Sequence, residues 1–466
     1  MEIKLNNTLT GRKDDFRPIT RGVVKMYHCG PTVYNFPSIG NMRSYIFADI
    51  LRRLFEYSGY DVKQVINITD VGHLVGDGDE GEDKVQKEAE KEGKSAEEIA
   101  RFYEQEFYKD LSLLNINTEN TKFPRATEHI EEQIEIIKIL EQKGFTYPTS
   151  DGIYFDTSKF ADYGKLGDIN LEGLKEGARI GENNEKKNST DFALWKFSKK
   201  EGEKRLQEWD SPWGVGFPGW HIECSAMSRK YLDQPFDIHT GGIDHIPVHH
   251  NNEIAQSQCA YEEPLANYWL HNEFLKVDGE KMSKSLGNVY TIQDLIEKKI
   301  HPLSFRYFLL TSHYSTPTNF TWEGVAGSQS AFEKLVSSYP SLSDSHGTDK
   351  YLQGQFEEAI SDNLNTPIAI SLLQEAKSKS IIDTIDSVLG LNIKTLSENM
   401  YDISNNILEI KKERDIAREN KDWVKSDHLR SEIESQGYVV EDSEGISKIR
   451  KTLSAMASSG LALPKL

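Results

Sequence analysis

Three cysteines, at positions 29, 224 and 259, are all that 466 residues contain. So odd and sparse a set excludes a disulfide framework and fits a reducing compartment. The sequence lacks any apolar run approaching the roughly 18 residues of a membrane helix. Residues 1–20 carry charges of both signs instead of the apolar stretch of a signal peptide. The chain is therefore expected to be cytoplasmic, with no membrane partner. An excess of positive charge is missing too. The 55 Lys and Arg against 74 Asp and Glu leave a formal net charge of −19, which speaks against a strongly basic nucleic-acid-binding domain. Nor is the chain poor in large apolar side chains: 20 Phe, 20 Tyr and 7 Trp argue against a disordered polymer.

The length predicts about three domains. Val23 to Tyr27 reads as a strand, followed by the turn-rich Cys29-Gly30-Pro31-Thr32. Ile46, Ile50 and Leu54 then recur at helical spacing, Gly59 is placed to end that helix, and Val62 to Ile68 reads as a second strand. Strand, glycine-containing loop, helix and strand make a βαβ unit, so a parallel α/β sheet is the expected core. Residues 77–110 hold 13 acidic and 6 basic side chains, and 80–107 reads as one solvated helix with a narrow apolar stripe. Residues 145–200, broken by Tyr-Pro, Asp-Gly and Asn-Asn, read as a small β-containing insertion. After a Ser/Asp/Gly/Pro-rich break at 338–350, helices are expected over 351–362, 366–381, 398–420 and 422–436, with a short strand at 438–442.

Cys29, Cys224, His249 and Glu253 stand out as metal-ligand candidates. His249 and Glu253 are four apart, which stacks both on one helix face. One thiolate from each of two distant loops would complete a tetrahedral set of sulfur, nitrogen and oxygen. Spacing alone leaves the plainer alternative open, because isolated cysteines are commonly small buried hydrophobes. Lys281-Met282-Ser283-Lys284-Ser285 places two lysines three apart in a Ser-containing loop, able to bring ammonium groups to a polyphosphate. In His239-Thr240-Gly241-Gly242-Ile243-Asp244 the paired glycines permit close backbone approach to a ligand, although such a sequence is also an ordinary turn.

Ser38-Ile39-Gly40-Asn41 at a helix start, with Lys281 to Ser285, resembles the paired signatures of class I aminoacyl-tRNA synthetases. Cys29 to Tyr34, Gly219 to Met227 and His249 to Gln256 narrow the resemblance to cysteinyl-tRNA synthetases, and it runs from Leu5 to about Lys451. The resemblance implies a Rossmann-type parallel-sheet catalytic domain with an inserted subdomain, followed by an α-helical bundle and a small C-terminal anticodon-binding module. The implied division is a first catalytic half at 1–115, a connective insertion at 116–205 and a second half with a zinc site at 206–272. A lysine-loop and stem-contact region follows at 273–337, then the bundle at 338–400 and the anticodon-binding region at 401–466. The implied partners are L-cysteine, tRNA(Cys) and ATP with Mg2+, in a monomer with one Zn2+.

By the same resemblance Cys29, Cys224, His249 and Glu253 hold the zinc, which takes the substrate thiolate. Thr69, Trp220 and Asp244 contact cysteine. Ser38, Ile39, Gly40, Asn41, Gly241, Gly242 and Lys281 to Ser285 contact ATP, with Ser38, Gly40, Asn41, Lys281 and Lys284 catalytic. Arg418, Trp423, Asp427 and Asp442 read RNA, where a base can stack on the indole. Three departures stand out. Ser38 replaces the signature's leading histidine, a loss worth on the order of 3 kcal/mol if nothing compensates. The stretch 71–83 is longer than the common form, and the tail 452–466 is Ser/Ala/Gly-rich and expected to fray. The charge is also uneven: 77–110 carries −7, whereas 401–466 has 11 basic and 12 acidic residues and is nearly neutral. A near-neutral RNA-facing segment weakens the objection that the acidic total raised.

Overall fold

The computed structural model describes residues 1–71, 84–169, 185–198, 205–283, 286–443 and 446–458. The chain divides into two compact units. One comprises 1–37, 55–108 and 118–274; the other comprises 38–54, 109–117 and 275–466.

The first unit is built on a four-stranded, wholly parallel sheet in the spatial order Ala266–Asn272, Phe236–Gly242, Val23–His28, Asp61–Ile66. Val, Met and Tyr fill the central strand, and its last three side chains are all buried, as expected where both faces of a parallel sheet are covered. Tyr27, Val65, Phe236, Leu265 and Trp269 pack together around it. Register pairs His28 with Thr240 and with Ile66, and Leu270 with Thr240. The strand ends therefore line up, and the residues just beyond them share one edge.

The β-containing segment expected over 145–200 supplies three strands of a four-stranded antiparallel sheet, Thr146–Pro148, Gly152–Phe155 and Phe192–Phe197, and the fourth, Gly216–Pro218, lies beyond the expected span. Its aromatic residues Phe155, Phe192 and Trp195 pack against Ile137 and Leu140 of the helix Ile130–Gln142. The acidic stretch departs from expectation. Residues 80–83 lie outside the described residues, and the remainder forms two helices, Lys84–Glu92 and Ala96–Leu113, separated by Gly93 at φ +65°. Ile99, Tyr103 and Phe107 are buried, which is more than a solvated face would show. Glu104 is buried as well; Arg125 donates to it at 2.9 and 2.8 Å and the Tyr108 hydroxyl at 2.6 Å. A net-charge count registers such a carboxylate as solvent-facing when it is an internal ion pair. The lengthened stretch 71–83 lies, beyond Val71, outside the described residues.

The second unit is mainly helical. Its small sheet sets Glu280–Lys281 antiparallel to Leu275–Val277, which pairs in parallel with Thr318–Phe320. The helix expected over 366–381 is instead two, Thr366–Glu375 and Lys379–Leu389, because Ala376 turns to extended backbone and the Ser378 hydroxyl caps the second. Likewise 398–420 is divided between Ile393–Met400 and Asn405–Glu419. Trp423–Ser435 follows as expected, and the strand anticipated at 438–442 forms a hairpin with Ile446–Lys451. In the tail, Leu453–Ser458 is helical and 459–466 lies outside the described residues. The α/β core and the helical C-terminal half are thus both present. No described helix is long and apolar enough to cross a membrane.

Candidate functional site

Open α/β sheets collect ligands at the carboxyl ends of their strands. Here that edge carries Cys29, directly after Val23–His28, and Thr69, three residues after Asp61–Ile66. The two loops are sewn together. Gly30 N–H donates to Asn67 Oδ1 at 2.8 Å, Thr69 N–H to Pro31 O at 3.0 Å, and Asn67 Nδ2 to the Thr69 hydroxyl at 3.2 Å. A Cβ at Gly30 would sit 1.5 Å from Asn67 O, so only glycine permits this crossing.

Cys224 lies one turn into the helix Trp220–Leu232, and Glu253 near the start of Asn251–Tyr261. A π-helical turn, Ile246–His250, precedes Glu253; its widened backbone carries the successive buried residues His249 and His250. The potential ligand atoms of Cys29, Cys224, His249 and Glu253 all lie within 4.8 Å of one another. The four candidates chosen from sequence are therefore brought together. A second set, Cys29, His239, His250 and Glu253, meets the same limit.

Charge is concentrated here in a buried place. Glu253 Oε2 is 2.8 Å from His239 Nε2, and Oε1 is 3.0 Å from His249 Nε2. Burial pushes the Glu253 carboxyl up, but His239 and His249 outweigh it and bring it down to about 2. Burial likewise opposes protonation of His249, yet the Glu253 carboxylate and Cys224 raise it to about 10. The hydrogen bond from the Cys29 thiol lowers Cys224 to about 6, while burial raises Cys29. Two sulfurs, an imidazole and a carboxylate, one sulfur already favoured as thiolate, are a donor set that fits Zn2+.

Most of the surrounding imidazoles were missed in the sequence. His221, His239, His245, His250 and His271 join His249 within residues 221–271, so six of the 13 histidines in the chain fall in this span. That density was the available signal. His221 Nδ1 is 2.9 Å from His249 Nδ1, and the Trp220 ring lies 4.3 Å from that of His249. Asp244 is exposed beside this cluster, and Thr69 is buried. The paired glycines leave room for the protein's own side chains. A Cβ on Gly241 would meet His245 Nδ1 at 2.6 Å and His250 Cε1 at 2.7 Å, and one on Gly242 would meet Asp244 Oδ1.

In the second unit Ser38 caps the helix Ile39–Tyr57. Its hydroxyl donates to Asn41 Oδ1 at 2.7 Å and accepts from Asn41 N–H at 3.2 Å, while Ser38 N–H donates to Asn41 Oδ1 at 3.0 Å. The two polar residues of the signature thus form a reciprocal cap. Ile39 N–H donates to Tyr290 O at 2.8 Å, and a Cβ on Gly40 would touch Met282 Cε at 3.4 Å. The lysine-bearing segment is therefore packed on the signature turn. Lys281 is exposed, Asn288 accepts from Ser283 N–H at 2.8 Å, and Lys284 and Ser285 lie outside the described residues.

Of the C-terminal candidates, Trp423 is 56% exposed and Asp427 is exposed. Asp442 accepts from Arg414 at 3.0 and 2.7 Å, and from Arg418 at 3.0 Å, so two RNA candidates face each other. Arg414, buried and unforeseen, holds the hairpin to the helix Asn405–Glu419.

Residues 15–330 match the family described as tRNA synthetases class I (C) catalytic domain. Cysteine–tRNA ligase 1 of Burkholderia lata is 45% identical over 451 residues, covering 95% of each chain. The cysteine–tRNA ligase of Treponema denticola is 41% identical, covering 97% of this chain and all of its own. Among solved structures, Mycobacterium tuberculosis methionyl-tRNA synthetase with methionyl-adenylate superposes with a TM-score of 0.55 at 16% identity, over 81% of this chain and 90% of that one. That likeness establishes a shared fold. With near-full-length identity of this order to cysteine–tRNA ligases, the chain belongs to that family within the class I aminoacyl-tRNA synthetases.

Proposed function

We propose that the chain joins L-cysteine to tRNA(Cys) in two steps: cysteinyl-adenylate forms from ATP with release of pyrophosphate, and the cysteinyl group then passes to tRNA with release of AMP. The observation that carries this reading is the convergence of Cys29, Cys224, His249 and Glu253 within 4.8 Å. These residues would hold Zn2+. Bound there, the ion would supply a soft Lewis acid that favours the substrate's thiolate over a serine hydroxyl, a distinction an apolar pocket makes poorly.

The chain's own residues supply the remainder. Trp220, whose ring is tilted against that of His249, would close over the cysteine side chain, with Thr69 and Asp244 at the polar end of the substrate. The capped turn Ser38–Asn41 offers a helix N-terminus to phosphate oxygens. Gly241 and Gly242 would pass beside the nucleotide, and Lys281 and Lys284 would neutralise the departing pyrophosphate together with the Mg2+ that accompanies ATP. The cysteine carboxylate attacks the α-phosphorus in line, without a covalent enzyme intermediate. Trp423, Arg418, Asp427 and Asp442 are proposed to read the anticodon, and the working unit is proposed to be a monomer in the cytoplasm.

Charging of tRNA(Cys) with labelled cysteine and with serine, before and after chelation, tests the reading. Cysteine-dependent pyrophosphate exchange that collapses on chelation and returns with Zn2+ is expected, with serine inactive throughout. Trp423→Ala should weaken charging while sparing exchange; equal loss of both would remove the RNA role. Exchange without charging would point instead to a ligase that delivers cysteine to a small amine.

A further inference from the structure

We infer that Thr8 and His271 are positioning residues for the Cys29 sulfur, acting through His250; the inference rests on the zinc reading above. Three contacts run in series. Thr8 Oγ1 is 2.8 Å from His271 Nδ1, His271 Nε2 is 2.8 Å from His250 Nδ1, and His250 Nε2 is 3.3 Å from Cys29 Sγ.

Both rings use both nitrogens, and a neutral imidazole has one N–H to give. The far end sets the direction, because a thiolate that ligates a metal accepts hydrogen bonds and has none to donate. His250 must therefore carry its proton on Nε2, toward Cys29. Its Nδ1 is left to accept from His271 Nε2–H, and His271 Nδ1 in turn accepts from the Thr8 hydroxyl. One O–H fixes the tautomer of two imidazoles and aims a donor at a ligand sulfur.

The series is held at each member. Thr8 N–H donates to Trp269 O at 2.8 Å, and the neighbouring Asn7 Oδ1 accepts from Leu9 N–H at 3.1 Å and Trp269 N–H at 3.0 Å. The N-terminal hairpin, Lys4–Asn7 with Arg12–Asp15, is thereby pinned to the outer strand of the parallel sheet. His250 is fully buried and His271 is 8% exposed. Gly241 leaves the room that His250 occupies. A hydrogen bond onto a ligand sulfur draws electron density from it, so the bound ion stays more electrophilic toward an incoming thiol. The N-terminal hairpin would thus tune a centre whose ligands all lie elsewhere in the chain.

The full-length protein loaded with Co2+ reports on this directly, because a thiolate-to-cobalt charge-transfer band follows the energy of the sulfur electrons. Thr8→Val removes the hydroxyl at nearly constant volume and should move the band to longer wavelength. It should also raise the zinc dissociation constant about tenfold in chelator competition. Thr8→Ser should restore both, and His271→Asn, read by the same band, should reproduce the shift. An unchanged band and zinc constant in Thr8→Val would overturn the inference, as would a Thr8→Ser protein behaving like Thr8→Val. An unshifted band is also the outcome if His250 itself ligates the ion through Nε2. Failure of the parent chain to bind either metal would overturn the zinc reading, a result distinct from a loaded protein with an unmoved band.

Discussion

Arg306 Nη2 lies 2.5 Å from Asp49 Oδ2, and both side chains are fully buried. The guanidinium also donates to Leu389 O at 2.8 Å and Leu114 O at 2.9 Å, while Asp49 accepts from Arg53 at 2.8 Å and from Asn117 N–H at 2.7 Å. One ion pair therefore ties the middle of the helix Ile39–Tyr57 to three other segments of its unit. Arg306→Met fills similar space but leaves two carbonyls and part of a carboxylate unanswered. It should cost about 3–5 kcal/mol in the urea transition of that unit. A cost below about 1 kcal/mol would show that Arg53 and Asn117 satisfy Asp49 without Arg306.

His301 is the N-cap of the helix Pro302–Leu310. Its Nδ1 accepts from Leu303 N–H at 3.2 Å, it is 1% exposed, and burial lowers it to about 4. The unfolded chain binds this proton near pH 6.5. Between those values the unfolded state holds more protons, so stability should fall on acidification from pH 6.5 toward 4, by roughly 3 kcal/mol in all. His301→Asn keeps a capping acceptor and removes the titration. Urea midpoints measured from about pH 4.5 to 7 should be flatter for the variant; an equal slope would assign the acid sensitivity elsewhere.

Ser38 stands where the family's signature has histidine, and its hydroxyl is engaged with Asn41 on both sides. Ser38→Ala should cost about 1 kcal/mol of stability through the lost cap. Cysteine-dependent pyrophosphate exchange should drop about tenfold as the turn loosens, which corresponds to about 1.4 kcal/mol. Ser38→Thr should keep most of both. Exchange that is unaffected by alanine would remove the hydroxyl from the reaction.

Gly241→Ala places a methyl group within 3 Å of both His245 and His250. Overpacking of this kind costs about 1–3 kcal/mol. Zinc retained after gel filtration should fall below that of Gly242→Ala, where the methyl meets only the exposed Asp244. Equal retention would mean that the imidazoles yield without disturbing the ligands.

Much of the core was legible because its signals are local. Val23 to Tyr27, the Ile46/Ile50/Leu54 spacing and Gly59 predict strand, helix and stop, and all three occur. Glu104 was illegible for the opposite reason: the arginine that turns it from a solvated to a buried charge lies 21 residues away. Gly241 is ambiguous in the sequence because an empty position reads the same whether it admits a ligand or makes room for a histidine ring. The four proposed ligands carried little information by spacing, since neither cysteine has a near partner to anchor it. Their residue types put them forward as one candidate set, family resemblance strengthened it, and the fold brings them within reach of one another.

Those ligands span residues 29 to 253 of the chain. A ribosome adding about 5–20 residues per second exposes the first thiol on the order of ten seconds or more before the last carboxylate is made. The Cys29 sulfur must pass that interval as an ordinary reactive thiol. Were these four residues to hold a metal as proposed, capture could complete only once the segment after Val23–His28, the helix Trp220–Leu232 and the turn after Phe236–Gly242 had come together, so a filled centre would report on assembly of the unit that contains it.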